Sequence, residues 1–221
     1  ISSNVQFYDG ITSTDIQETL IKSAADLISE ETPNYQTVAG RLIVYHINKM
    51  VYGGATPWHI YKLVKHNVEK GFYDTELLSE YTEEEWNTIN SWVKHERDEQ
   101  LTYAAMEQFR GKYLVQNRVT KTLYETPQMA YMLIAATLFQ DYDRKNRLRY
   151  VKDYYDAIST HQISLPTPVM AGVRTPQRQF SSCVLIETDD SLDSINATAS
   201  SIVKYVSQKA GIGINGGRIR A

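Results

Sequence analysis

Cys183 is the only cysteine among the 221 residues and the side chain best suited to redox or nucleophilic chemistry. It lies in the run 182–186, where aliphatic residues predict a strand buried on both faces. Two interpretations of Cys183 stay open: a small hydrophobic residue of a core, or a reactive thiol at a strand end. The second interpretation needs a further reacting group. No CxxC pair is present, so the sequence predicts neither a local disulfide nor a zinc site.

An acidic turn and a long helix follow the strand. Asp190 is the predicted N-cap, apolar residues recur every three or four positions, and Gly211 is expected to end the helix after about residue 209. A strand that leads directly into a helix is half of a βαβ unit, which needs a parallel partner strand. We expect no such strand in this chain. The run 211–217 lacks the GxGxxG order of a dinucleotide-binding loop, and we interpret it as close backbone packing before the next strand.

The sequence before residue 163 predicts a helical scaffold. Thr14 and Gln17 form a predicted capping box for a helix to about residue 30, and another helix begins near Pro33. A β-hairpin is predicted at about 113–125. Four further helices are predicted. The first starts at Pro57 and ends at Gly71, and the second follows a capping box of Thr82 and Glu85 and ends near Met106. The third runs from Pro127 to about Gln140, and the fourth runs from Arg144 to Ser159.

Composition excludes several classes of function. The net charge is −3, with 23 basic and 26 acidic residues, which argues against a nucleic-acid-binding surface. The five histidines do not have the spacing of a metal site, so no metal is predicted. The sequence shows no signal peptide and no apolar run of about 18 residues, so we expect no membrane span and a cytoplasmic protein.

Several unusual motifs occur in one order along nearly the whole chain: QFYDG, YTEEEW, RGKYLVQNR, SLPTP, RTPQRQFSSCV, DSL, SIN, AGIGIN and RIRA. This set resembles the large (α) subunit of class I ribonucleotide reductase. The resemblance implies a mainly α fold in three parts. Residues 1–53 would be the back part of an ATP-cone, residues 54–162 a helical connector, and residues 163–221 the start of a catalytic α/β barrel that is completed elsewhere.

The resemblance also implies roles at the substrate. Cys183 falls on a redox-active cysteine that delivers reducing equivalents to the ribose 2′ carbon and is oxidised to a disulfide with a distant second cysteine. Thr167 and Ser182 fall on substrate-contacting positions, where hydroxyl and amide groups suit ribose or diphosphate oxygens. The radical-bearing cysteine, the other catalytic residues and the second redox cysteine would lie downstream, so this chain alone is not expected to be catalytic.

Two nucleotide effector sites follow from the same resemblance. The positions of the specificity site are Asp190, Ser191, Leu192 and Arg220, and a carboxylate with a guanidinium suits the sugar and phosphates of a nucleoside triphosphate. Without the resemblance, Asp190 would be a helix cap and Arg220 a surface charge. Ser13 and Lys49 fall on ATP-contacting positions of the activity site. The family often has threonine in place of Ser13 and histidine in place of Gln17.

The implied substrate is a ribonucleoside diphosphate, and the implied effectors are ATP and deoxynucleoside triphosphates. The resemblance implies no cofactor bound by this chain. It implies four kinds of protein partner: the rest of the large subunit, a second large subunit in a homodimer, a small metal-containing subunit that supplies the radical, and a thioredoxin- or glutaredoxin-type reductant. The other hypothesis is a noncatalytic nucleotide-binding regulatory fragment, or a split-subunit half that acts only with a companion chain.

Overall fold

The computed structural model describes residues 7–208 and 210–220, which form a mainly helical body followed by a strand–helix–strand unit. This confirms the predicted fold class. The α-helices are α1 (Ser13–Ala25), α2 (Tyr35–Tyr52), α3 (Ile60–Glu69), α4 (Glu76–Glu80), α5 (Glu83–Trp92), α6 (Tyr103–Gln108), α7 (Pro127–Phe139), α8 (Arg147–Ser159), α9 (Thr167–Gly172) and α10 (Leu192–Ser207). A 3-10 helix covers His95–Gln100, a π-helical turn covers Phe109–Tyr113, and the strands are β1 (Cys183–Glu187) and β2 (Gly211–Asn215).

The first helix begins earlier and ends earlier than predicted. Thr12 is its N-cap, because the Thr12 hydroxyl accepts a hydrogen bond from the Asp15 backbone N–H. The predicted capping box of Thr14 and Gln17 is therefore wrong, since both residues lie inside the helix. The α2 helix begins close to Pro33, as predicted, and Gly53 ends it with a φ of 75°.

The starts and ends of the middle helices depend on side-chain caps. The capping box of Thr82 and Glu85 is confirmed, with both reciprocal hydrogen bonds present. The prediction that Pro57 opens α3 is wrong, because His59 is the N-cap and its Nδ1 accepts from the Tyr61 N–H at 3.2 Å. The helix after Thr82 also ends at Trp92 instead of continuing to Met106. A 3-10 helix follows it, and α6 starts from a cap of its own.

The predicted hairpin at 113–125 is present only as a short turn. Gln116 and Leu123 form one antiparallel bridge, and the Tyr124 N–H donates to the Val115 carbonyl at 3.0 Å. Asn117 closes the turn, since its side-chain oxygen accepts from two backbone N–H groups ahead of it. Helix α8 begins at Arg147, three residues after the predicted start.

The core surrounds α7, which is buried along most of its length. Inside it, the Gln128 side chain donates to Asp98 Oδ1 at 2.9 Å and accepts from the Tyr155 hydroxyl at 2.7 Å. Asp98 lies in the 3-10 helix that interrupts the predicted long helix, and it is 2% exposed. The need to bring this carboxyl group to Gln128 explains why the chain leaves α5 at Trp92.

Stability is expected to fall as the pH rises toward neutrality because of Asp98. Burial raises the pKa of the Asp98 carboxyl from 3.8 to about 7, so the fold favours the protonated form. The free energy of unfolding should therefore decrease between pH 4 and pH 7 and level off above that. Asp98→Asn stays neutral and keeps an acceptor for Gln128, so it should remove much of this slope in urea denaturation. Glu99→Gln, an exposed neighbour, is the control. Equal slopes in Asp98→Asn and the unchanged protein would contradict the prediction.

At the C-terminal end, β1 and β2 pair in parallel, with Cys183 opposite Gly211 and Glu187 opposite Asn215. The expectation that the chain holds no partner strand for β1 is wrong, because the run interpreted as close packing is itself that strand. A Cβ at Gly213 would lie 2.9 Å from Leu185 Cδ2, so a larger residue there would displace the end of the exposed Leu185 side chain. The unit is therefore a complete βαβ unit.

Two further expectations for this unit are corrected. The strand β1 is not buried on both faces, and Leu185 is 87% exposed, because α10 and β2 are the main elements that pack against it in the described residues. Asp190 is not the N-cap of α10. That cap is Ser191, whose hydroxyl accepts from the Ser194 N–H at 3.1 Å. Gly211 does not end α10, because the helix stops at Ser207 and Gly211 starts β2.

Among the described residues, no helix combines the length and apolar character needed to cross a membrane. The same residues contain no group of three or more His, Cys, Asp or Glu side chains arranged to hold a metal ion.

Candidate active and effector sites

Cys183 is the first residue of β1, and its thiol is free and exposed. The backbone just before it is held in place, because the Gly211 N–H donates to the Ser182 carbonyl at 2.9 Å. A glycine opposite Cys183 leaves the space beside the strand end open. In the described part of the chain the Cys183 side chain is exposed, and both interpretations of this residue stay open.

Thr167 starts α9 and lines a cavity of about 310 Å³. One wall of the cavity comes from the π-helical turn and the hairpin, and the other comes from α9 and the loop that leads to Cys183. Its lining combines apolar residues with polar and cationic ones, and the latter include Lys112, Arg118, Thr167, Thr175, Gln177 and Gln179. Ser182 and Cys183 are not among the lining residues of this cavity.

A buried ion pair joins the two walls. Arg174 and Glu125 are both fully buried, and the Arg174 guanidinium makes a bidentate contact with the Glu125 carboxylate. The remaining donors of Arg174 reach the Met170 carbonyl at 2.7 Å and the Tyr113 carbonyl at 2.9 Å. Arg174 therefore fixes α9 to the end of the π-helical turn, and neither charge is left without partners.

Glu125 is held on its other side by two further donors. The Val115 N–H donates to it at 2.7 Å and the Tyr73 hydroxyl at 2.6 Å. Burial, together with the negative charge of Glu125, raises the pKa of the Tyr73 phenol well above its ordinary value. The Tyr73 phenol therefore keeps its proton at neutral pH and donates it to Glu125.

The strand–helix–strand unit brings the predicted specificity residues together. Arg220 Nε lies 3.3 Å from Asp190 Oδ2, although the two residues are 30 positions apart. Ser191 caps α10 beside them, and Leu192 is 80% exposed next to the cap. The Asp190 carboxylate and the Arg220 guanidinium thus meet at the exposed end of the helix.

The sequence-based interpretation missed a second ion pair beside the first. Arg218 Nη1 lies 3.2 Å from Asp189 Oδ1, and Arg218 Nε lies 3.1 Å from Glu187 Oε1. The sequence contains a signal for this second ion pair: two neighbouring acidic residues, Asp189 and Asp190, and two nearby arginines, Arg218 and Arg220. Each pair crosses from the turn after β1 to the turn after β2, which only the parallel pairing of the strands makes possible.

The predicted activity-site residues Ser13 and Lys49 line one cavity of about 180 Å³ between α1 and α2. Gln17 and His46 line it too. Burial lowers the pKa of the His46 imidazole, although the nearby Glu18 carboxylate opposes this shift. Because the pKa is lowered, His46 is neutral at pH 7 and can both donate and accept a hydrogen bond. His46 was not among the predicted site residues.

Comparison with known proteins identifies the family. A family model described as the ribonucleotide reductase all-alpha domain matches residues 99–178, and one described as the ribonucleotide reductase barrel domain matches residues 181–221. The chain belongs to the ribonucleotide reductase large-subunit family. The two matches meet in the loop that connects Arg174, a member of the buried ion pair, with Cys183.

Curated relatives agree with this assignment. Over 221 residues the chain is 60% identical to ribonucleoside-diphosphate reductase 1 subunit alpha of Escherichia coli (strain K12). It is 59% identical over 221 residues to ribonucleoside-diphosphate reductase subunit alpha of Haemophilus influenzae, and 51% identical over 220 residues to that of Enterobacteria phage T4. The matches cover 100%, 100% and 99% of this chain but 29% of each relative, so the chain spans less than a third of their length.

Within this reductase family member, the arrangement separates three kinds of chemistry. The exposed thiol of Cys183 can be oxidised or alkylated, the Asp190–Arg220 pair can bind polar and anionic groups, and the Ser13–Lys49 cavity can bind an anion. The three regions lie at the start of β1, at the turns that follow β1 and β2, and between α1 and α2.

Proposed function

We propose that this chain is part of a ribonucleoside-diphosphate reductase α subunit, which converts ribonucleoside diphosphates to 2′-deoxyribonucleoside diphosphates. The observation that carries the proposal is the exposed free thiol of Cys183 at the first residue of β1, inside the match to the reductase barrel domain. The first residue of a strand holds its side chain on a rigid element, which positions a reacting group more precisely than a loop does.

In the proposed reaction, Cys183 is one of two thiols that supply the reduction. Each thiol gives up one electron and one proton, and the two sulfur atoms form a disulfide. The C2′–O bond of the ribose breaks, the hydroxyl leaves as water, and a C2′–H bond takes its place, which balances the two electrons and two protons. Because Cys183 is the only cysteine of this chain, the second thiol comes from another part of the subunit.

The remaining partners follow from the same proposal. A thiyl radical at another residue of the subunit removes the 3′ hydrogen, and a small metal-containing subunit supplies that radical. A thioredoxin- or glutaredoxin-type protein reduces the disulfide after each turnover, and exposure of the Cys183 sulfur favours such an exchange. Thr167 and Ser182 contact the substrate. The proposed location is the cytoplasm, where reducing proteins of this class keep thiols reduced.

We also propose two effector sites on this chain. A deoxynucleoside triphosphate or ATP binds at Asp190, Ser191, Leu192 and Arg220, where the 3.3 Å approach of Arg220 to Asp190 supports one shared site. ATP binds at the cavity of Ser13 and Lys49, which is supported by their common lining of that cavity. The second candidate function is a noncatalytic nucleotide-binding regulatory role, and it is favoured by the same Asp190–Arg220 approach.

Reconstitution separates the two candidates. The intact subunit that contains this chain is mixed with a radical-generating subunit, a ribonucleoside diphosphate and a thiol reductant, and deoxyribonucleotide is measured. Formation of the 2′-deoxy product supports the enzyme. Effector binding at Asp190 without any product would support the regulatory role and overturn the enzymatic one.

The exposed apolar side of α10 predicts an interface between two large subunits. Ile195 is 40% exposed and Ile202 is half-buried, and both lie on one side of the helix. Ile195→Glu or Ile202→Glu is expected to weaken dimerisation by about tenfold or more, because a buried unpaired charge costs several kcal/mol. Effector response should weaken with it, since Ser191 caps the same helix. Sedimentation and nucleotide titration measure the two effects.

The control is Ala197→Glu, which places the same charge on the opposite, exposed side of α10. It should change neither sedimentation nor nucleotide affinity. If the Ile195→Glu protein sediments and binds nucleotide like the unchanged protein, the interface on α10 is excluded.

A further inference from the structure

The loop between α9 and β1, residues 173–182, leads directly to Cys183 and is held by a turn from far earlier in the sequence. That turn follows α3 and carries Asp74, which is buried. The Asp74 backbone N–H donates to the Arg174 carbonyl at 3.0 Å, and the Arg178 guanidinium binds the Asp74 carboxylate. Asp74 therefore holds the loop at two points, once through its backbone and once through its charge.

Both partners of the ion pair between Asp74 and Arg178 are oriented by further contacts. The Asp74 Oδ1 atom accepts from the Glu76 backbone N–H at 3.0 Å, and the Oδ2 atom binds Arg178. The Arg178 Nη1 group donates to the Thr175 carbonyl at 3.1 Å. Because charge-assisted hydrogen bonds are short and directional, this pair fixes the end of the loop relative to the turn after α3.

The backbone after this ion pair is held as far as the first residue of β1. The Gln179 side chain closes on Ser181, since its Nε2 group donates to the Ser181 carbonyl at 2.8 Å and its Oε1 atom accepts from the Ser181 N–H. The Ser182 carbonyl then accepts from the Gly211 N–H of β2 at 2.9 Å. A displacement of the loop at the ion pair would therefore be passed on to Cys183.

We propose that Asp74, through its ion pair with Arg178, positions the Cys183 thiol for the reduction step. The reaction of the thiol rests on the proposed function, whereas the anchoring of the loop does not. Asp74 is a positioning residue, because it acts on Cys183 through the loop. Arg178 is 55% exposed, and ion pairs of exposed side chains contribute little to global stability. The expected effect is on the geometry of the loop and on the reaction rate.

The first measurement is hydrogen–deuterium exchange of the intact subunit, followed by mass spectrometry of peptides that cover residues 173–183. Asp74→Asn keeps the backbone contacts and an oxygen for the Glu76 N–H, and it removes the charge that binds Arg178. It should speed amide exchange in this loop by about tenfold and leave the midpoint of urea unfolding unchanged. Exchange that is equally slow in Asp74→Asn and in the unchanged protein would overturn the proposal.

Single-turnover kinetics tests the link to the reaction. The pre-reduced intact subunit is mixed with a radical-generating subunit and a saturating ribonucleoside diphosphate, without added reductant. Asp74→Asn and Arg178→Gln should each slow product formation by about tenfold without changing the substrate Kd, because a misplaced reacting group lowers the rate of the chemical step. Arg178→Lys keeps the charge and should recover most of the rate. The double variant should be no slower than either single variant, because both break the same ion pair.

The control is Asp156→Asn, which disrupts two partly exposed ion pairs of α8. It should change neither the exchange of residues 173–183 nor the reaction rate, and an equal effect in this control would overturn the proposal. Product formed equally fast by Asp74→Asn and by the unchanged protein would also overturn it and leave the proposed reductase activity intact. Faster exchange in Asp74→Asn, with no product from the unchanged protein, would support the anchoring of Cys183 and reject the reductase activity.

Discussion

Cys183→Ser is expected to abolish multiple-turnover ribonucleotide reduction in the intact subunit, with a loss of about a thousandfold or more. Serine keeps the size and the hydrogen-bonding group, but an alcohol cannot form a disulfide and so cannot supply the two electrons. The strand position of Cys183 is fixed by backbone pairing with Gly211, so the exchange of sulfur for oxygen should leave the fold unchanged. Product formation with a thioredoxin-type reductant is the measurement.

Two controls make this result specific to the sulfur atom. Ser181→Ala changes an exposed neighbour on the same approach to β1 and should retain activity. Nucleotide affinity of Cys183→Ser at the Asp190–Arg220 site should match that of the unchanged protein. A Cys183→Ser subunit that still turns over repeatedly would show that Cys183 is not one of the redox pair.

Glu125→Ala is expected to cost about 3–5 kcal/mol of unfolding free energy, because it leaves the fully buried Arg174 guanidinium without its counter-charge. The Tyr73 hydroxyl and the Val115 N–H lose their acceptor at the same time. Denaturant unfolding followed by tryptophan fluorescence measures the loss. The effect should be large because three structural segments meet at this one carboxylate.

The comparison is Glu187→Ala, which removes a carboxylate from the exposed ion pair with Arg218. Both side chains of that pair are at least half exposed, so the loss should be within about 1 kcal/mol. The double variant Glu125→Leu with Arg174→Met replaces both buried charges by apolar groups and should recover part of the stability lost in Glu125→Ala. If Glu125→Ala and Glu187→Ala lower the free energy of unfolding by the same amount, the buried ion pair does not stabilise the junction of the two walls.

Local sequence rules predicted some elements well and others poorly. The Thr82–Glu85 capping box is confirmed because both hydrogen bonds lie within three residues and need no tertiary partner. The apolar pattern continues after Trp92, and for this reason the sequence predicted one helix as far as Met106. That prediction failed because the buried Asp98 contacts Gln128 on another helix. Helix periodicity contains no information about that partner.

The glycine-rich run shows the same limit for strands. Its residues 211–215 alternate glycine with isoleucine, which resembles a loop when read alone, because glycine is poor in strands. In the fold, Gly213 lies against the side chain of Leu185, a residue 28 positions earlier and its partner in the parallel pairing. These residues therefore form the strand β2, and only the pairing with β1 explains why glycines are tolerated in it.

By itself, the sequence determined the family, the mainly helical fold class and the candidate redox residue, because uncommon motifs and a single cysteine need no knowledge of distant contacts. The candidate roles of Thr167, Ser182, Asp190, Ser191, Leu192, Arg220, Ser13 and Lys49 came from the same motifs. Only the tertiary structure decided which of these lie together: Arg220 with Asp190, Ser13 with Lys49, and Thr167 with Lys112 and Arg118 in the lining of one cavity. The physical reason is that such neighbours are set by packing and by buried charge pairs such as Glu125 with Arg174, which join segments far apart in the chain.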